Sequence, residues 1–217
     1  MKGEARLCVE RLVERHPELA CCRRDMMEAL ECLIRVFRFG GRLFVCGNGG
    51  SCADAFHVTG ELMKSFVRPR PLPEELAERL RSMWPQDADM FLKHLQAALP
   101  VQSLCGEAAL MTAFANDESA ELVFAQQVMG LGRPGDALLA VSTSGNSHNV
   151  VQAAKVARAA GLAVIALSGK GGGMLARVAD VSVVVPGSET WEIQERHLPV
   201  YHALCLALEE EFFGGEQ

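Results

Sequence analysis

The chain has 217 residues, 49% of them hydrophobic and 22% charged, with a formal net charge of −6. That size holds one domain with a sizeable core, or a domain with a helical appendage, and the acidic balance excludes the broad basic field of a nucleic-acid surface. No apolar stretch is long and charge-free enough to span a bilayer, no secretory signal is read at the start, and eight cysteines (Cys8, Cys21, Cys22, Cys32, Cys46, Cys52, Cys105, Cys205) without a C-x-x-C pair read as reduced thiols of a cytoplasmic protein.

Residues 4–38 show helical periodicity. Leu7, Val9, Leu12 and Val13 form one apolar stripe; Met26, Met27, Leu30, Leu33, Ile34 and Phe37 form a second. His16-Pro17-Glu18 separates them, and Gly40-Gly41 ends the pair. Residues 42–47 read as a short buried strand, followed by a helix from Ser51 to about Phe66. Pro69, Pro71 and Pro73 break it. Lys64, Arg68 and Arg70 are the local basic cluster, adequate for one small phosphate. Residues 74–99 read as helical around Pro85, and 101–106 as a strand. A helix over 107–131 breaks near Asn116-Asp117. Residues 137–142 form a strand, Ser147–Ala160 a helix, 162–168 a strand, 169–173 a turn, 174–179 a short helix and 181–186 a strand. The last helix runs from about Trp191 to Phe213.

Strands alternate with helices, and the strands are continuous apolar runs, as in a parallel sheet covered on both faces. The reading is one doubly wound α/β three-layer sandwich over residues 1–217, with an N-terminal helical pair (4–39) and a helical insert (67–100). The pair cannot bury both stripes by itself and is expected to pack on a partner subunit, so a homo-oligomer is expected.

Two loops carry chemistry. Gly47-Asn48-Gly49-Gly50-Ser51 and Ser142-Thr143-Ser144-Gly145-Asn146-Ser147 each lie where a strand ends and a helix begins, the place where open α/β sheets bind ligands. Backbone N–H groups, hydroxyls and the positive end of a helix dipole suit a phosphate. Ser147 is placed as an N-cap. The alternative is a capped turn that binds nothing. Neither loop matches a Walker sequence or G-x-G-x-x-G, since Cys52 holds the last position, so a nucleotide is not indicated.

His57 and Glu61 lie at i and i+4 and share a helix face. On the last helix Gln194 and His202, eight apart, also share a face, with His197 off that stripe. One face from each helix offers N and O ligands for a divalent metal; the alternative is surface histidines and a solvated glutamate. His16, His94 and His148 read as surface residues, and Lys64, Arg68 and Glu107 as solvated by default.

Together, Cys46–Ser51, His57-x-x-x-Glu61, Asn116-Asp117, Ser142–Ser147 and Gln194…His202 resemble the sugar isomerase (SIS) domain, and within it the phosphoheptose isomerases, which convert sedoheptulose 7-phosphate to a glycero-manno-heptose 7-phosphate. The likeness covers about residues 20–66 and 101–213. It implies a phosphosugar aldose–ketose isomerase working through an enediol. Asn48, Gly49, Gly50 and Ser51 match the family's first substrate loop, and Ser142, Thr143, Ser144 and Ser147 its phosphate cradle. Asn116 and Asp117 match a sugar-contacting pair. His57, Glu61, Gln194 and His202 match its metal site, usually zinc. Glu61 matches the general base and His202 the general acid. A tetramer with sites shared between neighbouring chains is implied.

This sequence departs from the family at Cys52, where a His is frequent, at Trp191, where many members have Asp, and at Ser65, which replaces an Arg. The insert is longer than the usual connection. Relatives that act as tetrameric regulators of the bacterial replication initiator typically lack the last-helix His; His202 is present here, which favours an enzyme. An isomerase for another sugar phosphate is the other alternative. A phosphosugar sensor is a further one, but no basic recognition helix precedes the first strand.

Overall fold

The computed structural model describes residues 1–215. The chain opens with α1 (Gly3–Arg15), a 3-10 turn (Pro17–Cys22) and α2 (Arg23–Arg38). It continues through β1 (Leu43–Cys46) and α3 (Gly50–Met63), and then α4 (Glu74–Met83) and α5 (Ala88–His94), which form the insert. β2 (Val101–Ser103) and α6 (Ala108–Phe114) lead through a π turn (Ala115–Ser119) and a 3-10 turn (Ala120–Leu122) to α7 (Val123–Leu131). β3 (Ala137–Ser142), α8 (His148–Ala159), β4 (Ala163–Ser168), α9 (Gly173–Val178), β5 (Val181–Val184) and α10 (Thr190–Phe213) complete it.

The five strands are all parallel, in the order β2-β1-β3-β4-β5. Side chains alternate across a sheet, so each strand feeds two cores. Leu43, Val45, Leu139, Val141, Ile165 and Leu167 join α1, α2, α3 and α10 on one face. Phe44, Cys46, Leu138, Ala140, Val164 and Ala166 join α7, α8 and α9 on the other. This is the three-layer doubly wound sandwich expected from the continuous apolar strands. Strand order reverses between β1 and β3, which opens a crevice at their C-terminal ends.

Some boundaries differ from the sequence reading. The catalytic-helix candidate ends at Met63 because Lys64 turns extended. The strand expected over 101–106 stops at Ser103, and the helical stretch expected over 74–99, split at Pro85 as read, ends early at His94. Residues 107–131 break in a π turn at the predicted Asn116-Asp117 position.

The N-terminal stripes are buried inside the chain rather than left for a partner. Ala5, Val9 and Leu12 of α1, spaced i, i+4 and i+7, pack on α10, while Leu7 points out at 40% exposure. On α2, Met26, Leu30 and Leu33 are buried, each contributing about 1.5–3 kcal/mol of apolar burial. Exposed apolar side chains are scattered over the surface, with one group on the insert (Leu76, Met83, Trp84, Met90 and Leu95) and others, such as Phe39 and Met129, far from it in the chain.

The insert leaves and returns at one spot. The Ser65 N–H donates to Gln96 Oε1 (2.7 Å), the Ala97 N–H to the Arg70 carbonyl (2.9 Å) and the Leu99 N–H to the Leu62 carbonyl (3.0 Å).

Candidate active site

Both predicted loops sit at the β1/β3 switch point. After β1, Gly49 takes φ +55 and starts α3, and the Asn48 side chain exchanges two hydrogen bonds with Asn149 at the start of α8 (2.8 and 2.9 Å). That amide pair ties the two loops together. After β3, Gly145 takes φ +65, and a Cβ there would lie 1.9 Å from the Gly172 carbonyl oxygen, so only glycine lets the loop close against the 169–173 turn. Asn146 Oδ1 accepts the Met174 N–H (3.0 Å) across the same contact. Thr143 and Ser144 are half-buried, and Ser144 Oγ accepts the Asn146 N–H (3.1 Å). Ser147 does stand at the N-cap of α8, but its hydroxyl bonds Ser142 Oγ (2.9 Å) rather than a helix N–H.

The acid–base candidates come from α3 and α10, which run side by side in the same direction. Gly50 of α3 faces Gln194 of α10, and His57, two turns further on, faces Tyr201 and His202. A capping box between Glu189 and Glu192 starts α10. His57 Nε2 lies 3.2 Å from Glu61 Oε1 and 3.4 Å from His202 Nε2. The two imidazoles meet edge to face with centroids 4.9 Å apart, and the Phe66 ring covers His202 at 5.4 Å. Lys64 Nζ approaches Glu61 Oε2 at 3.3 Å. Burial, then the neighbouring His57, holds the His202 imidazole below its ordinary pKa, with Glu61 opposing. A cavity of about 480 Å³ opens beside His202 between α1, α10 and the residues after α3, lined also by Arg11, Arg15, His16, Phe66 and Leu198.

A metal at this place is tested by donor spacing. Ligand atoms around a tetrahedral zinc, at bonds of about 2.0–2.3 Å, stand roughly 3.3–3.7 Å apart. The His57–Glu61 and His57–His202 edges, 3.2 and 3.4 Å, are close to that spacing. Among the described residues the three side chains do not already close as a cage around one point. Gln194, the fourth ligand implied by the resemblance, is elsewhere: its amide rests on Gly50, where a Cβ would meet Nε2 at 2.5 Å. The structure thus brings His57, Glu61 and His202 together and leaves Gln194 at the first loop, about 12 Å along the helix from His202.

Asn116 and Asp117 are exposed on the π turn and bond each other (2.8 Å). The basic cluster does not wait for a phosphate, because each member has a carboxylate: Lys64 has Glu61, Arg68 has Glu210 and Arg70 has Glu209. The Arg70–Glu209 pair is fully buried. Glu209 also accepts the N–H groups of Phe66, Val67 and Arg68, and Arg70 donates to the carbonyls of Leu62 and Glu61. Of the departures, Cys52 is half-buried, Trp191 is 60% exposed, and Ser65 Oγ donates to the Arg68 carbonyl (2.7 Å).

Asp54, Tyr201, Glu209 and Asn149 support the site and were not singled out from the sequence; Arg70 was, as part of a phosphate-sized basic cluster, and pairs with Glu209 instead. Asp54 carried a usable signal, since Asp54, His57 and Glu61 follow one helix face at i, i+3 and i+7. Tyr201 and Glu209 carried none, because contacts between distant helices have no local spacing.

A parallel sheet in this order, with two hydroxyl- and glycine-rich loops at its switch point, defines an SIS domain, and the SIS domain family profile matches residues 94–169. The chain is 38% identical over 187 residues to a phosphoheptose isomerase of Trichlorobacter lovleyi, covering 86% of this chain and 82% of that one. It is 35% identical to one of Rhodospirillum rubrum, covering 97% and 98% of the two chains. The solved phosphoheptose isomerase of Neisseria gonorrhoeae superposes with a TM-score of 0.69 at 31% identity, over 93% of this chain and 98% of that one. The chain belongs to the phosphoheptose isomerase family, and so to the sugar-phosphate isomerases.

Proposed function

We propose that the chain interconverts sedoheptulose 7-phosphate and D-glycero-D-manno-heptose 7-phosphate, with Glu61 as general base and His202 as general acid. The carrying observation is the convergence of Glu61 Oε1 and His202 Nε2 on His57 Nε2, at 3.2 and 3.4 Å. The hydroxyls of Ser142, Thr143, Ser144 and Ser147 hold the phosphate. Asn48, Gly49, Gly50, Ser51, Asn116, Asp117 and Gln194 contact the remainder of the substrate. Binding energy from the distant phosphate orients the reacting carbons.

Glu61 takes a proton from C1 of the ketose while His202 gives one to the C2 oxygen, and the enediol results. Glu61 then returns its proton to C2, and His202 removes the proton of the C1 hydroxyl, which restores both groups. His57, Glu61 and His202 would hold a divalent metal, with Gln194 as the fourth ligand that the family resemblance implies. Such a metal, zinc by the family resemblance, would polarise the carbonyl and stabilise negative oxygen when bound. The Phe66 ring packs against the His202 imidazole.

The whole chain acts as one SIS domain and assembles as a tetramer, an expectation that rests on the family resemblance. Eight free cysteines favour a reducing, cytoplasmic setting. No helix among the described residues is long and apolar enough to cross a membrane.

Turnover of sedoheptulose 7-phosphate is the test. Glu61→Gln and His202→Ala are each expected to lower kcat by roughly a hundredfold or more. Chelator is expected to remove activity and zinc to restore it. Wild-type turnover in either variant would remove the assignment.

A further inference from the structure

We propose that Tyr201 and Asp54 are positioning residues that hold His57 in a single tautomer, with its Nε2 lone pair turned toward Glu61 and His202. This deepens the reading of the site given above and rests on it.

Protons are limited along a chain of three side chains, His57, Tyr201 and Asp54. Tyr201 Oη lies 3.0 Å from His57 Nδ1 and donates to Asp54 Oδ1 at 3.3 Å. A phenol has one proton. With that proton on the Asp54 carboxylate, the Tyr201 oxygen can only accept from His57. Nδ1 of the neutral ring therefore carries the hydrogen, and Nε2 is left bare. The rings of His57 and Tyr201 meet edge to face with centroids 5.4 Å apart. Tyr201 is 2% exposed, so water does not compete for its hydroxyl. Asp54 sits one turn before His57 on α3, and its Oδ2 has no partner among the described residues, which leaves its hydrogen bonding committed to Tyr201.

The consequence lies at the other ring nitrogen. His57 Nε2 faces the Glu61 carboxylate at 3.2 Å, and a bare nitrogen and a carboxylate are both acceptors. Without the tyrosine the neutral ring would put its proton on Nε2 and donate it to Glu61. With the tyrosine, the space among Nε2, Glu61 and His202 is one that a shared cation or a substrate proton fills best. Outer partners that fix an imidazole in this way change metal affinity by roughly ten- to a hundredfold in other sites.

The test uses the full-length, metal-free protein. Two-bond 1H–15N spectra report the tautomer of each histidine, with the His57 signals assigned by their loss in His57→Gln. Wild type is expected to show His57 protonated at Nδ1. Tyr201→Phe keeps the ring and removes only the hydroxyl; it is expected to move the His57 proton to Nε2 and to weaken Zn²⁺ binding at least about tenfold, by competition with a chromophoric chelator. Asp54→Ala frees the phenol proton for Nδ1 and is expected to shift the tautomer the same way. An Nε2-protonated His57 in wild type, or an unchanged tautomer in either variant, overturns the proposal. The spectra need no turnover, so absent activity on sedoheptulose 7-phosphate would count against the functional reading and leave this result standing.

Discussion

Replacing Glu209 with alanine offers the sharpest test of how the catalytic helix is anchored. The carboxylate is wholly buried, accepts three consecutive backbone N–H groups at 2.8, 2.8 and 3.0 Å, and takes Arg70 Nε at 2.8 Å. Arg70 is 1% exposed and spends its other donors on the carbonyls of Leu62 and Glu61. Glu209→Ala leaves that guanidinium buried without its counter-charge, and breaking a buried pair from one side costs about 3–5 kcal/mol. With a urea dependence of about 2 kcal/mol per molar, the unfolding midpoint falls by about 1.5–2.5 M. Amide hydrogen exchange at residues 66–68 should quicken as well, since those three N–H groups lose their acceptor. A Glu209→Leu/Arg70→Met double variant should recover much of the loss, because removing both partners strands no charge. A midpoint drop below about 0.5 M in Glu209→Ala would refute the reasoning.

His197 is 0% exposed, neither ring nitrogen reaches a partner in hydrogen-bond geometry among the described residues although the Ser168 backbone lies beside it, and burial pushes it down from 6.5 to about 4. The unfolded chain therefore binds the proton first as pH falls. Its contribution is whole above pH 6.5 and is lost at up to about 1.4 kcal/mol per unit on the way to pH 4; His197→Leu should show a shallower acid slope in denaturation midpoints, and an identical slope would contradict this. Gly145→Ala places a Cβ 1.9 Å from the Gly172 oxygen at φ +65. It should weaken inorganic phosphate binding by at least about tenfold, equivalent to about 1.4 kcal/mol, measured by calorimetry; undiminished affinity would remove the 142–147 loop as the phosphate holder.

What the sequence made legible follows from local physics. Continuous apolar runs such as Ala137–Ser142 announce a strand buried on both faces, and all six of its residues are buried. Loop residues at strand ends announce a crevice, and His57 with Glu61 needs only helical spacing. The meeting of His57 with His202 was suggested by family likeness, since no spacing links residues so far apart in the chain. Arg70 illustrates the opposite failure. In sequence it belongs to a basic, proline-rich stretch that reads as adequate for one small phosphate, yet it is buried because Glu209 supplies a charge from the far end of the chain. The N-terminal stripes were read as needing another subunit because the surface that covers them, α10, comes last in the chain.

The zipped root of the α4–α5 excursion has an evolutionary corollary. Its two ends already touch, so the loop-closure cost of growing it rises only by about 0.6 kcal/mol for each doubling of length. Between Arg70 and Ala97 the polypeptide can lengthen, shrink or be exchanged while the 2.9 Å link at its neck persists. Natural variation in this lineage has a ready place to accumulate new surface, a few residues from Glu61, without redrawing the scaffold that carries it.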